Sequence, residues 1–265
     1  MFIANARMYS VAPGVGEAWR AFFAWLSEAS GVELTTIDHA YPAPLAALWA
    51  RADLGCAFMC GYPFIKGQPR PHLLAAPIPA DDRASGRAVY ATDFVVRADS
   101  DFATLPDTFG GRLGFTVDSS HSGFNAVRYH LLQYRSPTRP RLYHESVGPL
   151  HTPRRVVDAL LAGQIDVGPL DGYALDLMRR HDPAFVRGVR VIESTAHAPA
   201  PPLVAGSHCP DDVVARLRAA LTACDKAQFG NALCLAGFAP AQAADYELLL
   251  RWEREAEAAG YPAPG

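Results

Sequence analysis

The chain has 265 residues, half of them hydrophobic, and a formal charge of −3. That length suits one large domain or two units of about 100–150 residues each, with enough apolar material for a sizeable core. The small negative charge excludes a broad nucleic-acid footprint, and no apolar run approaches the ~20 residues that span a bilayer, so direct membrane insertion is not expected.

The opening segment Met1–Met8 is too short and too polar for a signal peptide and reads as a first strand. The expected location is cytoplasmic as the chain stands, and periplasmic if a leader has been removed. Five cysteines, Cys56, Cys60, Cys209, Cys224 and Cys234, leave at least one unpaired. Cys56 and Cys60 have C-x3-C spacing in an apolar setting with no second pair, so buried thiols are expected there and no metal or cofactor site.

Ala18, Trp19, Phe22, Phe23, Trp25 and Leu26 recur at helical spacing, which predicts a helix over about 15–29 that Gly31 ends. A strand through Val32–Ile37 follows, then a short helix over Pro44–Trp49 and a buried strand over Asp53–Met59. Cys60–Pro63 reads as a turn and Leu73–Pro77 as another strand. The run Ala88–Arg97 is long and β-rich. Beyond it the pattern predicts strands at Leu113–Val117, Leu142–His144, Asp166–Pro169, Val189–Ile192 and Leu203–Ala205. Helices are predicted over about 122–134, Pro153–Ala162 and Tyr173–Arg180, with two more running from Pro210 to about Gln228 and from about Ala241 to Ala259. Strands alternating with helices indicate an α/β architecture.

The stretch Val117-Asp118-Ser119-Ser120-His121-Ser122-Gly123-Phe124 stands between a strand and a helix. Helix starts carry unpaired N–H groups and the positive end of the dipole, so they attract anions. Ser120 and Ser122 add hydroxyl donors at that point and His121 adds a titratable one. A phosphate, phosphonate or carboxylate is the natural guest. Ser and Asp before a helix are also ordinary N-caps, and the segment by itself leaves both readings open.

Four local signatures in order along the chain resemble the periplasmic phosphate/phosphonate-binding-like proteins, the solute-binding components of ABC transporters. They are the first strand ending at Met8-Tyr9, then Gly55–Phe64, then Gly86–Tyr90 leading into Val95–Ser100, and finally Ser119–Phe124 followed by Gly163–Asp171. The resemblance implies a two-lobed class II periplasmic-binding-protein-like fold with two crossing hinge strands, near Ala91–Phe94 and Glu193–Thr195. Residues 1–92 and 194–265 would form one lobe and 93–193 the other, closing on a small oxyanion between them.

Carried over by position, Ser120, His121 and Ser122 would hold the anionic head. Tyr90 would sit by the hinge, His151 before the next helix, and Asp171 where it could meet an amine on the ligand's tail. Tyr9 and Tyr62 would face the ligand from the first lobe. The family usually has a small hydroxyl residue where His121 stands, which leads to an expectation that affinity falls as pH rises through the His121 pKa. Each of these residues also has a plain structural reading: Tyr90 as a packed strand aromatic, Asp171 as an N-cap, His151 as a surface neighbour of the Thr152 cap, and Tyr62 as a turn residue.

The function expected is capture of a small anionic ligand by a monomer that delivers it to an ABC transporter permease, with no catalytic residues. The alternative is a cytoplasmic biosynthetic enzyme on the same fold, menaquinone- or thiamine-pathway-like, using His121, His151 and Asp171 as acid and base.

Overall fold

A computed structural model describes residues 1–265, all side chains but that of Lys226. The strands are β1 (Phe2–Asn5), β2 (Leu34–Thr36), β3 (Leu54–Phe58), β4 (His72–Pro79), β5 (Val89–Tyr90), β6 (Thr92–Arg97), β7 (Arg112–Gly114), β8 (Glu145–Val147), β9 (Gly168–Asp171), β10 (Val189–Ser194), β11 (Ala198–Pro199), β12 (Leu203–Ala205) and β13 (Leu235–Ala239). The helices are α1 (Pro13–Ser30), α2 (Leu45–Trp49), α3 (Gly61–Lys66), α4 (Ala126–Leu131), α5 (Pro153–Leu161), α6 (Gly172–His181), α7 (Pro183–Val186), α8 (Asp211–Thr222), α9 (Lys226–Leu233) and α10 (Glu247–Ala258). They fall into two compact units, Met1–Val89 with Pro199–Tyr246, and Tyr90–Ala198 with Glu247–Gly265.

The first unit is built on a six-stranded sheet of order β13–β4–β12–β3–β1–β2. β1 runs parallel to both β2 and β3, while β12 and β13 pair antiparallel with their neighbours. Helix α1 begins with Pro at its first turn and ends at Gly31, whose φ of +62° is the left-handed conformation that glycine adopts without steric cost. Its buried face, Val15, Trp19, Phe22, Phe23 and Leu26, follows the helical repeat read from the sequence. Trp19 meets Phe58 of β3 edge-on at 4.9 Å, so an aromatic cluster locks α1 to the sheet.

The second unit carries a three-stranded sheet, β10–β6–β9, which the parallel bridge Leu113–Val167 extends to the parallel pair β7–β8. Its core gathers Phe94, Val96, Leu113, Val127, Leu131 and Val167, with Tyr261 from the C-terminal end of the chain. In this sheet β6 pairs antiparallel with both β9 and β10, so it runs opposite to them and to β7 and β8, which are parallel to β9. The carboxyl ends of β7, β8 and β9 and the first residue of β6 therefore share one edge.

Several elements differ from the sequence reading. Cys60–Pro63 opens helix α3, because Pro63 is accepted within the first turn of a helix, where no N–H is required. The β-rich run divides at Ala91 into β5 and β6. The strand expected at Leu142–His144 lies three residues later, at β8, and Leu142 and Tyr143 are core residues of the preceding loop. The long helix expected from Pro210 stops at Ala223; Asp225 then caps α9 by accepting from the Ala227 N–H at 2.8 Å. Strand β13 was not foreseen: its Leu-Ala-Gly-Phe-Ala sequence is poor in β-branched residues, and pairing with β4 holds it in place.

β5 and β11 form a two-stranded sheet where the chain passes from one unit to the next, and a third passage follows Tyr246. Residues 247–265, expected in the first unit, belong to the second. The reason is contact with α4 and the turn before it: the Leu249 carbonyl accepts from Asn125 Nδ2, Trp252 stacks on Tyr129, and Tyr261 packs in the core with Val127 and Leu131.

Candidate functional site

After β7 the chain makes a tight turn at Val117–Ser120 and enters a π-helical turn, His121–Asn125, that runs directly into α4. Ser120 is the cap: its Oγ accepts from the Gly123 N–H at 2.9 Å, and its carbonyl accepts from the Asn125 N–H at 3.0 Å. Accepting leaves the Ser120 hydroxyl proton available for donation. Ser122 is half-buried, and its carbonyl takes the Thr92 hydroxyl at 3.1 Å. Gly123 is required here, since a methyl group at this position would overlap Thr116 Oγ1 and stand 2.8 Å from Thr116 Cβ.

The other expected residues of this unit lie at the same sheet edge. Asp171 ends β9 as the ladder partner of Thr92, is 8 % exposed, and caps α6 by accepting from the Ala174 N–H at 3.1 Å. His151 is exposed with φ of +67°, and its N–H donates to the Thr116 carbonyl at 2.9 Å. Thr152 then caps α5. Three N-terminal helix ends, those of the Ser120 turn, α5 and α6, therefore converge where open α/β sheets collect ligands. Arg154 donates to Asp182 at 2.8 Å and lies over the Phe185 ring at 3.7 Å, so its charge is engaged by these two residues.

His121 opens the π-helical turn. It is 1 % exposed, and burial pushes its pKa down to about 3 from 6.5. The imidazole is neutral at physiological pH, so it cannot grip an anion as a cation. Its ring stacks on Trp252 of α10 at 5.3 Å and 27°, and Trp252 stacks in turn on Tyr129 at 4.7 Å and 5°. Tyr90, also buried, has its ring 6.2 Å from the imidazole.

Four residues of this arrangement escaped the sequence reading: Thr92, Asn125, Arg128 and Trp252. His121, Asn125 and Arg128 follow an i, i+4, i+7 spacing that places them on one helical face, which was the available signal. Trp252 left none, because nothing local ties α10 to a turn more than a hundred residues away.

In the first unit, Tyr9 and Tyr62 follow the carboxyl ends of β1 and β3. Both are buried. Tyr9 packs edge-on against Phe58 at 4.8 Å, and the Tyr62 hydroxyl accepts from Lys66 Nζ at 3.3 Å. Their role toward a ligand rests on the resemblance alone. All five cysteines are free thiols, and among the described residues no cluster of His, Cys, Asp or Glu has the makings of a metal site.

One family model, described as ABC transporter, phosphonate, periplasmic substrate-binding protein, matches residues 12–246. The chain belongs to that family. Solved structures agree on the fold of this phosphonate-binding family member. A binding-protein component of an ABC phosphonate transporter from Pseudomonas aeruginosa has a TM-score of 0.79 at 15% identity, covering 98% of this chain and 87% of its own. PhnD1 from Prochlorococcus marinus, solved in complex with methylphosphonate, has a TM-score of 0.76 at 15% identity, covering 97% and 98%. A protein from Xanthomonas citri solved bound to ATP has a TM-score of 0.61 at 19% identity, covering 98% of each chain. No curated protein matches the sequence.

These relatives share the class II periplasmic-binding-protein fold with this family member. The family implies a small ligand and a transporter partner, and gives no support to the biosynthetic-enzyme alternative. No helix among the described residues is long and apolar enough to cross a membrane.

Proposed function

We propose that this family member captures a small phosphonate- or phosphate-like oxyanion at the Ser120–Gly123 turn, for delivery to an ABC transporter permease. The observation that carries this reading is the hydroxyl-flanked turn at the edge where three helix N-termini converge. Ser120 and Ser122 are the proposed hydroxyl donors, with main-chain N–H groups of the same turn beside them. His121 contributes through its main chain and by holding the turn in place. Tyr90 borders the turn through His121. Asp171, beside Thr92 in the β6–β9 ladder, is placed to meet an amine on the ligand's tail, and His151 lines the same edge.

Such a site holds an anion with oriented dipoles and neutral donors, without a lysine or arginine of the turn itself. Selectivity would then follow the number and direction of oxygen lone pairs, which separates a tetrahedral oxyanion from a planar carboxylate.

The test is titration calorimetry of the purified chain with methylphosphonate, inorganic phosphate and sulfate, together with native mass spectrometry for a ligand retained through purification. Binding of a phosphonate or phosphate, weakened about tenfold in Ser120→Ala and in Ser122→Ala, is the expected result. Absence of binding to every oxyanion, or undiminished affinity in both serine variants, removes the reading.

A further inference from the structure

The side chain of Arg128 is buried, with the residue 3 % exposed, and its position fixes the chemistry of two neighbours. Its Nε and Nη2 donate to Asn125 Oδ1 at 3.2 and 3.0 Å, and Nη1 donates to the Pro262 carbonyl at 2.7 Å. A guanidinium has no acceptor, so the Asn125 amide is oriented with its oxygen toward Arg128 and its nitrogen away. That nitrogen donates to the Leu249 carbonyl of α10 at 2.9 Å and reaches His121 Nδ1 at 3.3 Å. Nδ1 is therefore the acceptor, and the His121 proton resides on Nε2. The imidazole face is covered by Trp252.

The charged groups around this node are Arg128 and, from α10, Glu253 and Glu257, whose carboxylates stand 3.7 and 3.9 Å from the guanidinium. Tyr90 from β5 faces the ring, and Tyr129 lies beyond Trp252. The two carboxylates meet Arg128, and burial is the cause of the His121 shift.

We propose that His121 is a positioning residue: held in one tautomer by Asn125 and stacked on Trp252, it fixes the turn that presents Ser120 and Ser122, so that helix α10 is part of the foundation of the anion site. The proposal rests on the binding reading above for the identity of the guest, and on the geometry of the turn for the rest. It explains why a large ring occupies a position where a small hydroxyl residue would suffice for direct contact. A hydroxyl residue could touch a ligand but could not reach the indole of α10.

The test reads the imidazole directly. Nitrogen NMR of labelled protein is expected to show His121 as the neutral Nε2–H tautomer, unchanged from about pH 5 to about pH 8. A titration midpoint inside that range, or the Nδ1–H tautomer, overturns the proposal. Asn125→Asp replaces the donor to Nδ1 by a carboxylate, so it should move the proton to Nδ1 and make both the NMR signal and the affinity for methylphosphonate pH-dependent.

Amide exchange at Gly123 and Asn125 tests the turn without any ligand. His121→Ala and Trp252→Ala should each speed exchange at these two amides about tenfold and weaken methylphosphonate to the same degree. Trp252→Phe, which keeps a ring beneath the imidazole, should recover most of both. Unchanged exchange in both alanine variants overturns the proposal. If the unmodified chain binds neither methylphosphonate nor phosphate, the binding reading fails, while the nitrogen shifts and the exchange rates still decide the positioning role.

Discussion

Thr92 and Ser122 are joined by a hydrogen bond of 3.1 Å from the Thr92 hydroxyl to the Ser122 carbonyl, which binds the first residue of β6 to the middle of the Ser120–Gly123 turn. The Thr92 main chain is itself held twice by Thr195: its N–H donates to the Thr195 hydroxyl at 3.0 Å and its carbonyl accepts from the Thr195 N–H at 2.9 Å. The turn thus rests on a strand residue whose own position is set by the sheet, and this anchors it to a rigid element.

Thr92→Val keeps the shape and removes the donor. The Ser122 carbonyl loses its partner, so the expected cost is about 1 kcal/mol of stability. Methylphosphonate affinity should fall several-fold because the turn loosens. A urea titration and calorimetry measure the two effects; a variant as stable and as tight as the original would show that the bond supports nothing.

Gly123 tolerates no side chain. In Gly123→Ala the new methyl would overlap Thr116 Oγ1 and remain 2.8 Å from Thr116 Cβ, so either the strand end or the turn must move. Overpacking of this kind costs about 1–3 kcal/mol, and the displaced turn should lose most of its oxyanion affinity. Thr116→Ala in the same chain removes the hydroxyl and one methyl but leaves the Cβ contact, so recovery should be partial. A thermal melt of the single and double variants decides it, and an unshifted melt for Gly123→Ala would contradict the packing.

Much of this arrangement was legible because local signals were strong. Helix α1 and β3 announced themselves through apolar periodicity, and Ser120 through its place before a helix, where hydroxyl residues cap. The same cues failed wherever a distant segment decides the outcome. Nothing near Leu235 marks β13, since β4 supplies its pairing, and nothing near Trp252 tells that α10 leaves the unit preceding it in sequence to stack on His121. At His121 the residue type suggested a titrating group, whereas the ring is buried against Trp252 of the distant α10 and its pKa is pushed down to about 3.

Arg128 should be indispensable to the second unit. Its side chain is 4% exposed and serves Asn125, Pro262, Glu253 and Glu257 together. Arg128→Met strips the guanidinium from Glu253 and from Asn125 Oδ1, and breaking a buried pair in this way costs about 3–5 kcal/mol. Arg128→Lys should recover only part of the loss, because an ammonium cannot reproduce the planar fork that meets Asn125 through two nitrogens. Urea titration of the three proteins measures the loss; equal stability of all three would show that the network contributes nothing.

Acid should weaken the fold through His121. Its pKa lies near 3 in the folded protein against 6.5 ordinarily, so the unfolded chain takes up the proton first as pH falls. Protons then favour unfolding: the contribution of this residue is whole above 6.5 and is lost progressively as pH falls toward about 3. The slope is at most about 1.4 kcal/mol per pH unit, or about 2 kcal/mol by pH ~5, before most carboxylates titrate. His121→Phe keeps a ring against Trp252 and has no proton to gain, so its stability should decline less than that of the original over the same interval. Urea midpoints at about pH 7 and about pH 5 for both proteins give the comparison. Parallel losses in the two would mean that the imidazole is not sealed from solvent, and that some other group carries the acid sensitivity.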